Sequence, residues 1–351
     1  MSLVVTEAEL TREIESEKLE EIAMLSKPAV AIVGLGGGGC NILSWIKQRG
    51  LVGGRLVALN TDANHLATVA ADKRILIGEK SCRGLGSGGY AEKGEKALIE
   101  NLEQIKKTLE GSSIIFVVAG LGGGTGTGAS YALAEALQAP GRLVVGVVTL
   151  PFEVERVRSE TAKKGLLKLM KYCDTVVAID NNKLVKVAGN LAFRQALGVA
   201  NELIGVFVKD ITETITTASL INLDYMDLMA IMEKKGLAAI GVGYGQGEEK
   251  IEKAVKIALE GQLLDIEDVT KSHGVLIHVS GGIDMTLEEV TRAGEMVMRT
   301  LPPDTRIVWG AKVNESPEME GKTHVMVILT GVQSKFLHKG KRKFKLPSFR
   351  R

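Results

Sequence analysis

Cysteine, proline and long apolar runs are all scarce in this chain, and each scarcity excludes something. Its 351 residues contain three cysteines, Cys40, Cys82 and Cys173. An odd number without paired spacing supports neither a disulfide framework nor a zinc knuckle, so they read as reduced, mostly buried thiols. Only seven residues are proline, which sets aside Pro/Gly-rich disorder. No run approaches the roughly 18 apolar residues of a membrane span, and the N-terminus is acidic rather than basic and then apolar. A cytoplasmic protein is expected. Of the five histidines, His273 and His278 flank an apolar strand-like run, the wrong spacing for a helical zinc pair, and they read as structural.

What is present is ordinary globular composition, 45% hydrophobic and 25% charged, enough for about two domains. The net charge of +2 hides an asymmetry. Lys339, Lys341, Arg342, Lys343, Lys345, Arg350 and Arg351 crowd the end without an acid among them. Setting those seven aside leaves 37 basic against 42 acidic residues, which argues against a nucleic-acid surface on the body. Residues 1–28 form an acidic arm with apolar residues at helical spacing. From Ala29 the chain alternates short β-branched runs with helical segments: AVAIVG, LVALN, RILIG, SIIFVVAG, RLVVGVVTL and TVVAID. That is strand and crossover helix repeated, the pattern of a parallel sheet covered on both faces. A long helix is expected from about Leu191 to Thr217, then a smaller α/β unit with LAAIGVGY, GVLIHVS, TRIVWGAKV and THVMVILTGV as strands.

Glycine is abundant, 41 residues, and it concentrates in three loops that each follow an expected strand: VGLGGGGCN, RGLGSGG and AGLGGGTGTG. Such loops let backbone N–H groups converge, and a helix N-terminus beneath adds partial positive charge, which suits phosphate. Several loops on one sheet edge imply a polyphosphate, with the Thr125 and Thr127 hydroxyls as further donors. The first loop alone also fits G-x-G-x-x-G through Gly34, Gly36 and Gly39, with Asp62 near the place of a ribose-binding acid. A dinucleotide site gives no reason for a second long glycine turn. A P-loop is absent: the one GKT, at Gly321–Thr323, has Ser316 where the leading glycine belongs.

GLGGGTGTG resembles the signature of the tubulin/FtsZ family of polymerising GTPases. VGLGGGGCN, ALNTD, RGLGSGG, GLGGGTGTG, TLPF and LINLDYMD follow in the family's order over about Ala29 to Gln333. The spacing resembles the prokaryotic cell-division branch more than eukaryotic tubulin. The resemblance implies an α/β fold: a Rossmann-like parallel-sheet GTP-binding domain (29–190), a long central helix with its connection (191–221), and a smaller C-terminal GTPase-activating domain (222–333). It implies GTP and GDP as ligands, with Mg2+ carried by the phosphates. Laid on matching positions, Gly37, Gly38, Gly39, Cys40 and Asn41 form the first phosphate loop, and Gly126, Thr127 and Gly128 the core of the signature loop. Asp62 is the acid near the nucleotide, and Gly86, Ser87 and Gly88 surround the γ-phosphate. Asn181 and Asn201 hold ribose and read guanine, and Glu155 and Arg158 contact the sugar. Leu197 stands where the family often has an aromatic, and Asp180 where proline often precedes the asparagine.

Asn222, Asp224 and Asp227 form N-x-D-x-x-D before the helical run LMAIMEKK. One reading is a helix start, with a cap and first-turn acids complementing the dipole. The other is catalytic: aspartates three apart share a face and can polarise a water for attack on a γ-phosphate. At about 1.5 Å per residue the central helix places this loop roughly 30 to 40 Å from the glycine loops. The resemblance resolves the distance by head-to-tail assembly, in which Asp224 and Asp227 complete the next subunit's site in a filament. The tail, 334–351, ends in KFKLPSFRR. Leu346, Pro347, Phe349 and Arg350 resemble the family's peptide for a membrane-anchoring division adaptor, which implies a cytoplasmic protein at the division site. Two other classes stand beside this one: a non-polymerising nucleotide-binding regulator of the same fold, and a nicotinamide-dependent oxidoreductase.

Overall fold

A computed structural model describes residues 28–188, 193–217, 221, 223–233, 236–268 and 271–338. The expected N-terminal arm, Asn222 and the adaptor peptide lie outside the described residues. All ten expected strands are present: β1 (Val30–Leu35), β2 (Gly54–Asn60), β3 (Lys73–Leu76), β4 (Ile114–Gly120), β5 (Leu143–Leu150), β6 (Thr175–Asp180), β7 (Leu237–Gln246), β8 (Gly274–Gly281), β9 (Arg306–Val313) and β10 (Lys322–Val332). They form one sheet in the order β3-β2-β1-β4-β5-β6-β7-β10-β8-β9.

From β3 to β7 every pairing is parallel; β10 runs antiparallel to both β7 and β8, and β9 is parallel to β8. Near-continuous Val, Ile and Leu make these strands apolar on both faces, as burial on both sides demands. Alternation divides them. Ala31, Val33 and Leu35 of β1 face a core shared with the helices Ala91–Glu100, Gly124–Leu137 and Arg156–Tyr172. Val30 and Ile32 face the opposite core, with the helix Gly36–Gln48 and the central helix Phe193–Thr216. Each fully buried Val, Ile or Leu among them contributes about 1.5–3 kcal/mol relative to exposure.

The central helix is the expected long element, and it touches both halves of the sheet. Phe207 meets Phe116 of β4 edge to face at 6.1 Å. Glu213, buried, accepts from Val52 N–H at 3.2 Å and pairs with Lys209 and with Lys312 of β9. The two halves of the sheet join most thinly at β6 and β7, through Val176↔Leu237 and Val177↔Ala238.

One expectation is corrected. RGLGSGG does not leave β3 directly, because β3 stops at Leu76 and a single turn, Glu79–Cys82, comes between. That turn ends with Arg83 at φ 53°, in the left-handed region. The chain must reverse there to lay the loop back over β2.

Candidate functional site

In the order β3-β2-β1-β4-β5-β6 the chain direction of strand addition reverses between β1 and β4, the crevice where ligands bind in open α/β sheets. The first and third glycine loops leave these two strands. Gly36 opens the helix after β1 at φ +65°, and a Cβ there would lie 2.9 Å from Gly126 N. The two turns therefore touch backbone to backbone. Gly37 and Gly38 are exposed, and Gly37 has open space beside it. These two glycines open a helix and carry no side chain to cover their N–H groups, an arrangement that suits an anion. Gly39 and Cys40 sit beneath, buried: a Cβ on Gly39 would strike Val118 O at 2.2 Å. Cys40 Sγ lies 3.7 Å from the Gly34 and Leu59 carbonyls, and burial pushes its thiol up to about 12. It is a packed, inert thiol.

The third loop divides in the same way. Gly126 and Gly128 face inward, a Cβ on Gly128 falling 1.8 Å from Ala91 O. That glycine lets the helices Ala91–Glu100 and Gly124–Leu137 cross in contact. The hydroxyls of Thr125 and Thr127, expected as donors, are already engaged. Thr127 Oγ1 accepts from Gly122 N–H at 2.8 Å, and Thr125 Oγ1 lies 2.6 Å from Thr61 Oγ1 and 3.0 Å from Ser87 Oγ. All four hydroxyl residues are buried. Ser87 thus turns inward and fastens the second loop to the third. Gly86 N–H on Thr61 O and Ala63 N–H on Gly84 O fasten it to the end of β2, at 3.0 Å each. Gly86 and Gly88, both at positive φ, remain at the loop surface.

Asp62 caps the helix Ala63–Thr68, its Oδ1 accepting from His65 N–H at 3.0 Å. Asn41 Oδ1 lies 3.0 Å from His65 Nε2. After β5, Glu155 accepts from Phe152 N–H at 3.1 Å and pairs with Arg158 at 2.7 Å. Arg158 packs against the signature loop, its Cβ 3.0 Å from where a Gly122 side chain would start. After β6, half-buried Asn181 keeps its Oδ1 buried with no hydrogen-bond partner. A buried amide oxygen without a partner costs about 1–3 kcal/mol, and a ligand donor removes that cost. Asn201 lies on the central helix one turn before Gly205, where Trp45 presses on that helix. The side chain of Leu197 lies outside the described residues.

Sequence reasoning missed Asn182 and His65. Asn182 Oδ1 accepts from Glu153 N–H at 3.0 Å, and its own N–H groups bind Asp180 Oδ1 at 2.9 and 2.7 Å. It ties the loops after β5 and β6 together. The second asparagine in DNN was the available signal.

The aspartate pair is elsewhere. Asp224, not Asn222, caps the helix Tyr225–Met232, accepting from Met226 N–H at 3.1 Å. Asp227 is exposed, 3.9 Å from the Arg306 guanidinium where β9 begins. Tyr225 donates to Gly141 O at 2.9 Å, in the turn before β5. Both contacts lie at the edge of the sheet where β5 and β9 start, opposite the edge where β1 and β4, which run the same way, end in the glycine loops. The eight residues of β5 alone span about 26 Å at about 3.3 Å per residue. Asp224 and Asp227 stand on the face opposite the glycine crevice.

A 3-2-1-4-5-6 parallel sheet with glycine turns at its reversal point defines a nucleotide-binding α/β protein of the Rossmann type. Residues 29–189 match the Tubulin/FtsZ family, GTPase domain, and residues 236–333 match the FtsZ family, C-terminal domain. The chain is 44% identical over 323 residues to cell division protein FtsZ 1 of Archaeoglobus fulgidus, covering 92% of this chain and 87% of that one. It is 44% identical to cell division protein FtsZ 2 of Methanocaldococcus jannaschii over 87% of this chain and 80% of that one. An empty FtsZ dimer from M. jannaschii superposes with a TM-score of 0.87 at 41% identity, covering 96% and 99% of the two chains. The chain belongs to the FtsZ family of tubulin-like cell-division GTPases.

Proposed function

We infer that this chain binds GTP in the crevice between β1 and β4, assembles head to tail, and hydrolyses the nucleotide at the junction. The observation that carries the reading is the separation of the two halves of the site. Glycine turns converge at one edge of the sheet, and the aspartate pair stands at the other. A carboxylate about 26 Å from a phosphate cannot polarise water beside it. A second subunit stacked on the first brings the two faces together, and such a heterologous contact propagates as a filament.

Within this reading Gly37, Gly38, Asn41, Gly86 and Gly88 present donors to the phosphates. Gly39, Cys40, Ser87, Gly126, Thr127 and Gly128 set the shape of the turns from beneath. Asn181 and Asn201 take base and ribose, Glu155 and Arg158 the sugar edge, and Asp62 fixes the segment beside the phosphates. Asp224 spends one oxygen on its helix, so Asp227 is the carboxylate free to orient water, with Arg306 tempering its repulsion from the phosphates. Among the described residues no group of three or more His, Cys, Asp or Glu is arranged to hold a metal ion. A Mg2+ ion would therefore ride on the phosphate oxygens and neutralise charge there.

The domain limits expected from the sequence, 29–190 and 222–333 about a connecting 191–221, belong to the same reading. So do a cytoplasmic location at the division site and docking of residues 346–350 on a membrane-anchoring adaptor. Among the described residues no helix is long and apolar enough to cross a membrane, so attachment through a partner fits.

The test is light scattering with simultaneous phosphate release across protein concentrations, with GTP and then GDP. Scattering specific to GTP and turnover per subunit rising above a critical concentration are expected. Asp227→Ala should abolish turnover and keep GTP binding. Turnover at the parental rate in that variant overturns the shared site. Concentration-independent turnover without scattering favours the non-polymerising regulator.

A further inference from the structure

A chain of side-chain hydrogen bonds runs from the buried end of β2 to the first glycine turn, and its chemistry permits only one arrangement of protons. Asn60 ends β2 and is 3% exposed. Its Oδ1 accepts from Thr61 N–H at 2.9 Å and from Asp62 N–H at 3.3 Å. Two backbone donors on one amide oxygen settle which way the amide lies. The group facing His65 Nδ1, 3.1 Å away, is therefore the Asn60 NH2. An NH2 has no lone pair to offer, so Nδ1 must be the accepting nitrogen and the ring proton sits on Nε2. Nε2–H then donates across 3.0 Å to Asn41 Oδ1. The relay ends at the NH2 of Asn41, an exposed residue three beyond Gly38, and among the described residues this NH2 has no hydrogen-bond partner.

We propose that His65 is a positioning residue for the nucleotide: held as its Nε2–H tautomer by Asn60, it fixes the Asn41 carboxamide so that its NH2 serves a phosphate oxygen. This rests on the nucleotide reading above. The backbone of His65 is held independently, by Asp62 at the helix cap and by Thr68 Oγ1 on its carbonyl at 2.8 Å. The ring therefore sits on a rigid turn. A donor held in place before the ligand arrives gives up less rotamer entropy on binding than a free one.

The experiment is calorimetric titration of nucleotide-stripped full chain with GTP and Mg2+, below the assembly concentration. His65→Ala should weaken GTP binding by about 3- to 10-fold, the size of one well-made hydrogen bond. His65→Gln offers an acceptor to Asn60 and a donor to Asn41, and should return affinity to within about twofold of the parent. Asn41→Ala should lose as much as His65→Ala, and the double variant no more than either. Parental affinity in His65→Ala, equal weakness in the Ala and Gln variants, or additive losses in the double variant would each overturn the proposal. If Asn41→Ala alone is weak, the nucleotide reading stands without His65. If the parent chain takes up no GTP, that reading fails first.

Discussion

Acid should loosen the seam between the central helix and the C-terminal strands before it reaches anything else in the fold. His278 of β8 and His324 of β10 are both buried and both face Asp210 of the central helix, their Nδ1 atoms 3.9 and 3.8 Å from its Oδ2. His278 Nε2 also meets Thr214 Oγ1 at 2.9 Å, and Tyr244 stacks on His324 at 4.7 Å. Lys312, Lys209 and Glu213 complete the charged surroundings. Burial holds both imidazoles down to about 4, against an ordinary 6.5. Lys312 adds to this at His278, while Asp210 works against it at His324.

A histidine depressed in the fold is protonated first in the unfolded chain. Its stabilisation is complete above pH 6.5 and is lost as pH falls from there toward 4. The loss runs at about 1.4 kcal/mol per pH unit per histidine, about 3 kcal/mol for each at the end of the window. Asp210 runs the other way. Burial raises its carboxyl, so taking up a proton relieves a cost and offsets part of the loss. Between pH 6.5 and 5 the two histidines together set a ceiling of about 4 kcal/mol on the fall, which Asp210 lowers, against a total stability of about 5–15 kcal/mol. Guanidinium unfolding at several pH values between about 7 and 5 measures it, since most carboxylates titrate lower. The double variant His278→Gln, His324→Gln should lose most of the slope. A double variant that declines with pH as the parent does refutes the reasoning.

Gly128→Ala should cost about 2–3 kcal/mol by forcing apart the helices Ala91–Glu100 and Gly124–Leu137, while Gly37→Ala, with open space beside it, should melt as the parent does; a Gly128→Ala chain with parental melting would contradict the crossing. Cys40 should resist thiol reagents until the chain unfolds, because its thiol is buried and pushed up to about 12; labelling of the folded protein by mass spectrometry checks it. Arg306→Ala should change stability by no more than about 0.5 kcal/mol, the pair with Asp227 being exposed, and should lower assembly-linked turnover; a parental rate would remove Arg306 from the junction.

Much of this architecture was legible because parallel strands buried on both faces must be apolar throughout, and runs such as SIIFVVAG and RLVVGVVTL have few other homes. The glycine loops were legible for a related reason: a backbone that must approach another backbone or an anion leaves no room for a side chain. What sequence could not divide was the labour within a loop. In GLGGGTGTG, Gly128 and Thr127 are packing residues beneath the surface, and which glycine faces inward depends on the neighbouring helix and not on the motif. The helix-start reading had Asn222 as the cap and the aspartates in the first turn, but Asp224 takes the cap and only Asp227 lies in the first turn.

The chain by itself determined the order of strands and helices, because hydrophobic period and glycine punctuation are local properties read a few residues at a time. It also determined that glycine-rich turns and paired aspartates both exist. Only the tertiary structure decided that the turns after β1 and β4 touch while the aspartates stand at the far ends of the strands. It decided too that Asn60, His65 and Asn41 form one relay and that two histidines on separate strands share a carboxylate of the central helix. Those are contacts between residues distant in sequence, and they come into being only when burial of both sheet faces brings the elements together.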